Sequence, residues 1–399
     1  MINVAILGYG VIGSGVFEVL STNADIVKRN AGQEIQVTRV LDLRKFPGSP
    51  VEEILTDDFE DILNDESVDI VVEAMGGTGV AYKFVKASLE AGKSVATSNK
   101  ALVAAHGPEL LQIAAGKNVN FMFEASVGGG IPVIRPLLSC ITADRIQEIT
   151  GILNGTTNFI LSKMYDEGSR FEPTLEEAQM LGYAEADPTE DIEGYDACRK
   201  IAILTALVKG QYVDFEDLSC TGITGISDID IAYAKALGMK IKLLATSRTE
   251  NNHVYGEVAP CMIGKDNPLY SVDGVMNAVL VRGNMLGDIM FYGAGAGALP
   301  TASAVVSDII AQVRYLNRNI PVKMAPEKLD IACASELADR FFVRIAKDIN
   351  VKAVLPVERE IAIAQAPDEK AVITGIITKK ELMTILEALP GLIGYIKVR

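Results

Sequence analysis

Apolar and polar positions along the first third of the chain alternate between two periods. Val4-Ala-Ile-Leu7 is a short apolar run, and Val16, Phe17, Val19 and Leu20 then recur at helical spacing. Ile35 to Leu41, Val68 to Glu73 and Ser94 to Thr97 repeat the strand pattern, and a helix is predicted from Val80 to Ala91. Kept up to about residue 130, this alternation predicts an α/β fold whose doubly wound parallel sheet carries helices on both faces. Ligands of such sheets lie at the carboxyl ends of the strands. From Ile146 onward strands recur around Gly151, from Ile241 to Ala245 and from His253 to Cys261, with helices between them. A second, α+β domain with its own sheet is expected there.

The turn after the first strand reads Gly8-Tyr-Gly10-Val11-Ile12-Gly13. Gly8 makes the tight turn, Gly10 lets the backbone approach a pyrophosphate, and Gly13 allows the helix to pack on the strand. The helix N-terminus, opened by Val11 and Ile12, then faces the phosphates. This is the dinucleotide-binding form of the sheet, a Rossmann-type fold; the alternative is a glycine-rich turn that binds nothing. Asp42-Leu43-Arg44-Lys45 follows the second strand. Asp42 suits the ribose hydroxyls of NAD, whereas Arg44 pairs with the 2′-phosphate of NADP, which is the cofactor expected, with NAD open. Ala74-Met-Gly-Gly-Thr78 and Thr97-Ser-Asn-Lys100 also fall at strand ends. Thr78 and Lys100 are therefore cofactor-side candidates.

Gly182-Tyr-Ala-Glu185-Ala-Asp187 runs into Asp191 and then into Asp196-Ala-Cys-Arg-Lys200, at the start of a nearly apolar helix. Asp196 and Lys200 share one helix face. As an exposed pair they would contribute well under about 1 kcal/mol, but the apolar continuation argues for burial. A lysine held beside carboxylates is a proton donor or a carbonyl-polarising cation. Asn154-Gly-Thr156-Thr-Asn158 offers side chains to a small polar substrate, or simply caps the next helix. In Glu124-Ala-Ser-Val127-Gly-Gly129-Gly-Ile131-Pro132, exposed carbonyls and Glu124 would suit a hard cation with oxygen ligands. The plainer reading of that loop is a hinge.

Composition narrows the function class. Against 52 Asp and Glu stand 37 Lys and Arg, a net charge of −15, which argues against nucleic acid or an anionic membrane surface as the main partner. With 399 residues, 49% of them hydrophobic, and no run long enough to span a bilayer, two or three soluble domains are expected. The chain starts directly with a strand, so no signal peptide is expected. Five cysteines without C-x-x-C spacing fit free thiols in a reducing cytoplasm. His106 and His253 are the only histidines, too few for a histidine zinc site or a catalytic triad; one is expected in a helix turn, the other in a polar hairpin.

Taken in order, the glycine turn, Thr97-Ser-Asn-Lys100, Glu124 to Pro132, Asn154 to Asn158, Gly182 to Pro188, Asp196 to Lys200 and Gly293-Ala-Gly-Ala-Gly297-Ala-Leu-Pro-Thr301 resemble homoserine dehydrogenase over about the first 315 residues. Only the glycine fingerprint is generic. The resemblance implies reversible NAD(P)-dependent interconversion of L-homoserine and L-aspartate 4-semialdehyde, on the aspartate route to threonine and methionine. It assigns Lys200 as proton donor to the aldehyde oxygen, with Asp196 beside it, and Lys100 to cofactor and substrate. Glu185 and Asp196 take the substrate's cationic amino end, with Asp191, Asn154 and Thr156 as further substrate-side candidates. Glu124, Val127, Gly129 and Ile131 match a monovalent-cation loop, sodium being the expected ion, and Gly182 and Gly297 match cofactor contacts. A homodimer or higher homo-oligomer through the second sheet is expected, and no amino-terminal aspartate kinase.

The expected organisation is a dinucleotide-binding domain at 1–130 with 298–320 packing back on it, a substrate and dimerisation domain at 131–297, and a shortened ACT-like regulatory module at 336–399. In that tail Phe341 to Ile345, Ala371 to Ile377 and Gly394 to Val398 supply three strands, and Lys380 to Leu389 a helix. The first helix of an ACT module and its Pro-Gly entry are missing after Ile345, and that turn is where such modules usually hold amino acids. Two rivals remain at this level: a related dehydrogenase with different groups around Lys200, and a nucleotide-sensing protein that would tolerate loss of both lysines.

Overall fold

The computed structural model describes residues 1–389 and 391–399. The chain forms two compact units: Met1–Ala143 with Ala202–Asp214 and Gly293–Leu329, and Asp144–Ile201 with Phe215–Tyr292 and Asp330–Arg399.

The first unit is built on a six-stranded sheet. Its strands are β1 (Ile2–Leu7), β2 (Ile35–Leu41), β3 (Leu55–Thr56), β4 (Ile70–Glu73), β5 (Ser94–Thr97) and β6 (Phe121–Met122), in the order β3-β2-β1-β4-β5-β6. All five pairings are parallel, and the order is that of a dinucleotide-binding sheet. Val4, Ala5, Ile6 and Leu7 are fully buried, as continuous apolar runs are in a sheet covered on both faces. The strand expected from Val68 begins at Ile70, because Asp69 is taken up before it: its amide donates to Asn3 O and its carboxylate accepts from Asn3 N.

Helix α1 (Val11–Thr22) follows the glycine turn and lies against the helix Ala298–Arg314, which comes from the far end of the sequence. A Cβ on Gly15 would sit 3.1 Å from both Ala298 O and the Ala302 Cβ, so a side chain there would push the two helices a few tenths of an ångström apart. Val305, Val306 and Ile309 complete the core around β1.

The second unit is built on a large mixed sheet. Along its main path the order is Gly287–Ala294, Met276–Gly283, Ile146–Ile152, Lys240–Glu250, His253–Ile263, Leu392–Val398, Ala338–Ala346, Glu369–Thr374 and Val357–Ile361. Lys240–Glu250 and His253–Ile263 form one hairpin in full register, from Lys240↔Ile263 to Glu250↔His253. Its two-residue turn puts Asn251 and Asn252 at φ 51° and 66°, the left-handed pair that matches strand twist and that Asn tolerates best.

Among the described residues the tail contains five strands, two more than its apolar patterning suggests. One is the short Ile377–Thr378; the other is Val357-Glu-Arg-Glu-Ile361, at the end of the sheet, where its three charged residues stay in water. No helix stands between Ala338–Ala346 and Val357–Ile361. Instead Val351 and Leu355, 1% and 4% exposed, plug the apolar cluster of Phe341, Val343, Leu382 and Leu386.

Leu392–Val398 joins the tail to the rest of its unit through parallel pairing with His253–Ile263, Cys261 facing Lys397. There Lys397, 5% exposed on its side chain, forms ion pairs with Glu257 and Asp339. Arg344, equally enclosed, bridges Asp230 and Glu369. Removing one partner of a buried ion pair leaves the other charges without compensation. Lys397→Ala is expected to destabilise the protein by about 3–5 kcal/mol, whereas Arg282→Ala, which breaks the half-exposed Arg282–Asp288 pair, should change it by less than about 1 kcal/mol. Chemical denaturation followed by circular dichroism separates the two; equal losses would contradict the buried-pair account.

Candidate active site

In the first unit the site begins where β1 ends. Gly8 adopts φ +92° and donates to Leu41 O. A Cβ on Gly13 would lie 1.9 Å from Gly8 O, so no other residue fits there without moving the turn. Gly10 is the extended N-cap of α1 and brings no side-chain cap, and the first turn holds no acidic residue. Val11 stands 69% exposed beside these amides. An uncapped 12-residue helix with a glycine approach is chemically suited to a pyrophosphate.

Asp42 and Arg44 are not independent groups. Arg44 Nε and Nη2 donate to the two carboxylate oxygens of Asp42 at 2.9 and 2.8 Å, the Arg44 amide adds a bond at 3.0 Å, and Tyr9 N donates at 2.8 Å. The guanidinium beside it holds the Asp42 carboxyl well below the usual carboxylate range. Arg44 also lies over the Phe46 ring, and a Cβ on Gly10 would be 4.0 Å from its Nη2. The arginine is thus aimed over the glycine turn.

The strand-end loops are organised by a residue that the sequence pattern passes over. Glu73, fully buried at the end of β4, accepts from Met75 N, Gly76 N and Thr97 Oγ1. Asn99 in turn caps the helix Lys100–Gly116 and donates to Gly77 O. Together they set the loop carrying exposed Thr78 against the helix start carrying Lys100. An acidic residue closing an otherwise apolar strand was the available signal. His106 lies within this helix, stacked on Tyr82 at 4.0 Å.

The Glu124 carboxylate, expected at a cation loop, is engaged by backbone amides. Its two oxygens accept from the amides of Val133, Ile134 and Arg135 at 2.7 to 2.8 Å, at the start of the helix Ile134–Ser139. Asp308 meets the same corner, accepting from Glu124 N and Arg135, and burial pushes its carboxyl up to about 7 against the pull of Arg135. Val127 and Ile131 are buried around this corner. Gly129, at φ +56°, has no room for a side chain, since a Cβ would come 2.3 Å from Gly295 O. Gly297 is the N-cap of Ala298–Arg314 at φ +118°. Among the described residues no group of three or more His, Cys, Asp or Glu could hold a metal ion.

In the second unit Lys200 is the centre. On the helix Tyr195–Lys209, its Nζ donates to Asp196 Oδ2 and to Leu153 O, both at 2.8 Å, and the ammonium is buried. Burial to 3% for the Asp196 side chain excludes the exposed-pair reading. Asn154 ties the arrangement to the neighbouring helix. Its Oδ1 accepts from Thr157 N, capping Gly155–Glu167, while its Nδ2 donates to Asp196 Oδ2 at 2.9 Å and to Asp191 Oδ1 at 2.7 Å. An ammonium has three N–H bonds, and these contacts engage two.

Asp191 is tied to the Lys200 cluster through Asn154; Glu185 and Asp187 are exposed, and Asp187 accepts from Thr189 N and Oγ1 within its own turn. Thr156 donates its hydroxyl to Tyr183 O, close to Gly182 at φ +75°. Asn158 is structural: it donates to Val272 O and Met276 O and accepts from the buried Lys242.

A parallel sheet in this strand order with an uncapped glycine turn is the architecture of nicotinamide-dependent oxidoreductases. Comparison with known proteins narrows the class. Residues 8–124 match the family model for the homoserine dehydrogenase NAD binding domain, and residues 132–310 that for homoserine dehydrogenase. The homoserine dehydrogenase of Neisseria gonorrhoeae is 46% identical over 318 residues, 79% of this chain and 73% of that protein. The crystal structure of the Thiobacillus denitrificans homoserine dehydrogenase superposes with TM-score 0.91 at 36% identity, covering 100% of this chain and 98% of the other. A hyperthermophilic archaeal homoserine dehydrogenase in complex with NADPH gives TM-score 0.67 at 28% identity, covering 81% and 99%. The chain belongs to the homoserine dehydrogenase family. It is an oxidoreductase that interconverts L-homoserine and L-aspartate 4-semialdehyde with a nicotinamide cofactor.

Gly13→Ala is expected to weaken binding of NADPH by at least about tenfold, or roughly 1.4 kcal/mol. Gly116→Ala, whose Cβ would meet open space, should leave it unchanged. Titration of NADPH fluorescence measures both, and undiminished binding by Gly13→Ala would refute the close-approach argument.

Proposed function

We propose that Lys200 is the proton donor to the aldehyde oxygen of L-aspartate 4-semialdehyde, with Asp196 holding it in place. The observation that carries this reading is the buried ammonium fixed at 2.8 Å to both Asp196 Oδ2 and Leu153 O. Those two bonds orient the side chain, and the third N–H serves the substrate oxygen. The reduced nicotinamide, when bound, supplies the hydride taken up by the aldehyde carbon. Lys200 then neutralises the alkoxide as it develops, in a site where a fixed charge needs no reorganisation. Lys100 adds positive charge on the cofactor side. Asp191, linked to Asp196 through Asn154, and exposed Glu185 receive the cationic amino end of the substrate.

NADP is the preferred cofactor in this reading. Both Asp42 oxygens are already engaged by Arg44 and Tyr9, which blunts their repulsion of a 2′-phosphate and leaves them less able to accept from ribose. A monovalent cation, sodium by preference, is held in the loop by the carbonyls of Glu124, Val127, Gly129 and Ile131, because the Glu124 carboxylate is committed to amides. The tail is a shortened ACT-like module. A homodimer forms along the edge strand Gly287–Ala294, where Met290 and Tyr292 stand 41% and 53% exposed, since an unpaired edge with apolar side chains calls for a partner. The protein works in the cytoplasm.

Purified protein with L-homoserine and NADP at alkaline pH should produce absorbance at the nicotinamide band. Lys200→Ala should lower kcat by about 10²- to 10⁴-fold while still binding NADPH; turnover within a few-fold of the unaltered enzyme would contradict the assignment.

A lost charge-assisted contact costs roughly 1.5–3 kcal/mol. Arg44→Ala should accordingly weaken NADP binding by about one to two decades and leave NAD almost untouched. Isothermal titration with each cofactor decides, and equal losses for both would make Arg44 a solvated turn residue.

A further inference from the structure

Two cysteines from separate segments approach one another at the first turn of the helix that carries Lys200. Cys198 lies between Asp196 and Lys200 on the same helix, 1% exposed, with its amide donating to Gly194 O at 2.9 Å. Cys220 ends the strand Ser219–Cys220, held to the sheet by pairing with Val258, and is half-buried. Its thiol donates to Glu193 O at 3.2 Å, and its sulfur approaches the helix at Gly194, one turn before Cys198. Gly194 makes the approach possible, because a Cβ there would sit 3.2 Å from Cys220 Sγ and 3.1 Å from Val258 Cγ1. The sequence spacing of 22 residues conceals this neighbourhood, and the other cysteines stand elsewhere: Cys140 and Cys333 exposed, Cys261 buried.

We infer that Cys198 and Cys220 form an oxidative modification site, in which a peroxide converts the two thiols to a disulfide and thereby slows turnover at the adjoining Lys200.

Cys220 is half-buried and Cys198 1% exposed, so a peroxide reaches Cys220 first; Cys220 is the attacking sulfur and Cys198 the resolving one. The Cys220 thiolate attacks one peroxide oxygen, the O–O bond breaks, and hydroxide or alkoxide leaves and is protonated by water. Cys220 is now a sulfenic acid. The Cys198 sulfur attacks it, the S–O bond breaks, and the oxygen leaves as water with the Cys198 proton. Two thiols have lost two electrons, and the peroxide has gained them.

Closure matters because of where it occurs. A disulfide ties its sulfurs at about 2.05 Å, which fastens the first turn of the Lys200 helix to the Cys220 strand. Asp196 belongs to that turn. A displacement of about 1 Å at a catalytic group can cost up to about 10²-fold in rate. This part rests on the reading of Lys200 as proton donor; the chemistry of the pair does not.

Reduced full-length protein is treated with increasing hydrogen peroxide, mapped by peptide mass spectrometry, and assayed for L-homoserine oxidation before and after dithiothreitol. A Cys198–Cys220 cross-link should appear, with turnover falling about 10- to 100-fold and returning on reduction. Cys220→Ser should keep its activity through the same exposure, and the Cys140→Ser, Cys333→Ser double variant should remain sensitive. Oxidation confined to Cys140 and Cys333, or Cys220 passing to sulfinic acid without a cross-link, overturns the site. A full cross-link with unchanged turnover overturns the control of Lys200. If Lys200→Ala is then also near full activity, it is the proton-donor reading that has failed.

Discussion

Burying an ammonium costs several kcal/mol unless a carboxylate and further hydrogen bonds surround it. Around Lys200 that demand organises the middle of the chain. Asp196 supplies the opposing charge from one turn earlier, and Leu153 O supplies an acceptor from the end of a β-strand. Asn154, the next residue, caps the following helix and reaches both Asp196 and Asp191. Gly155 must be small because a Cβ would meet Val275 O at 2.8 Å. A strand end and two helix starts are therefore held in one arrangement by the needs of one charge.

The cofactor side follows a different constraint, that of close backbone approach. Gly13 has no space for a side chain against Gly8 O, and Gly15 fits closely against Ala298 O, which keeps α1 near the sheet and its amides open. Carboxylates serve the main chain more than any ligand: Glu73 fastens the β4 and β5 ends, and Glu124 caps a helix with both oxygens. A buried carboxylate that accepts two or three amide protons is satisfied where it stands. In the second unit the tail is docked by buried ion pairs at Lys397 and Arg344, so its attachment depends on geometry that an apolar seam would not require.

Much of this was legible in the chain before folding. The apolar runs and their periods located β2 and β5 to the residue and the helix from Val80 to within one, because strand and helix periodicity are local. Glycines at fixed offsets after a strand marked the cofactor turn for the same reason. The four-residue spacing of Asp196 and Lys200 placed them on one helix face, and the apolar continuation of that helix announced their burial. The charged strand Val357–Ile361 stayed hidden, since an edge strand lacks the apolar signal on which detection rests.

What only tertiary structure decided are the partnerships across long separations. Nothing near Lys200 in the sequence names Leu153 O or Asn154 as its partners, and nothing near Cys198 names Cys220. Asp42 and Arg44, read as competing determinants, became one bonded pair, and Glu185 was left exposed while Asp191 was drawn in. Sequence spacing fixes direction along a helix or strand over a few residues. Which distant groups then share a low-dielectric corner depends on how sheets and helices pack, and that packing is set by the whole chain at once.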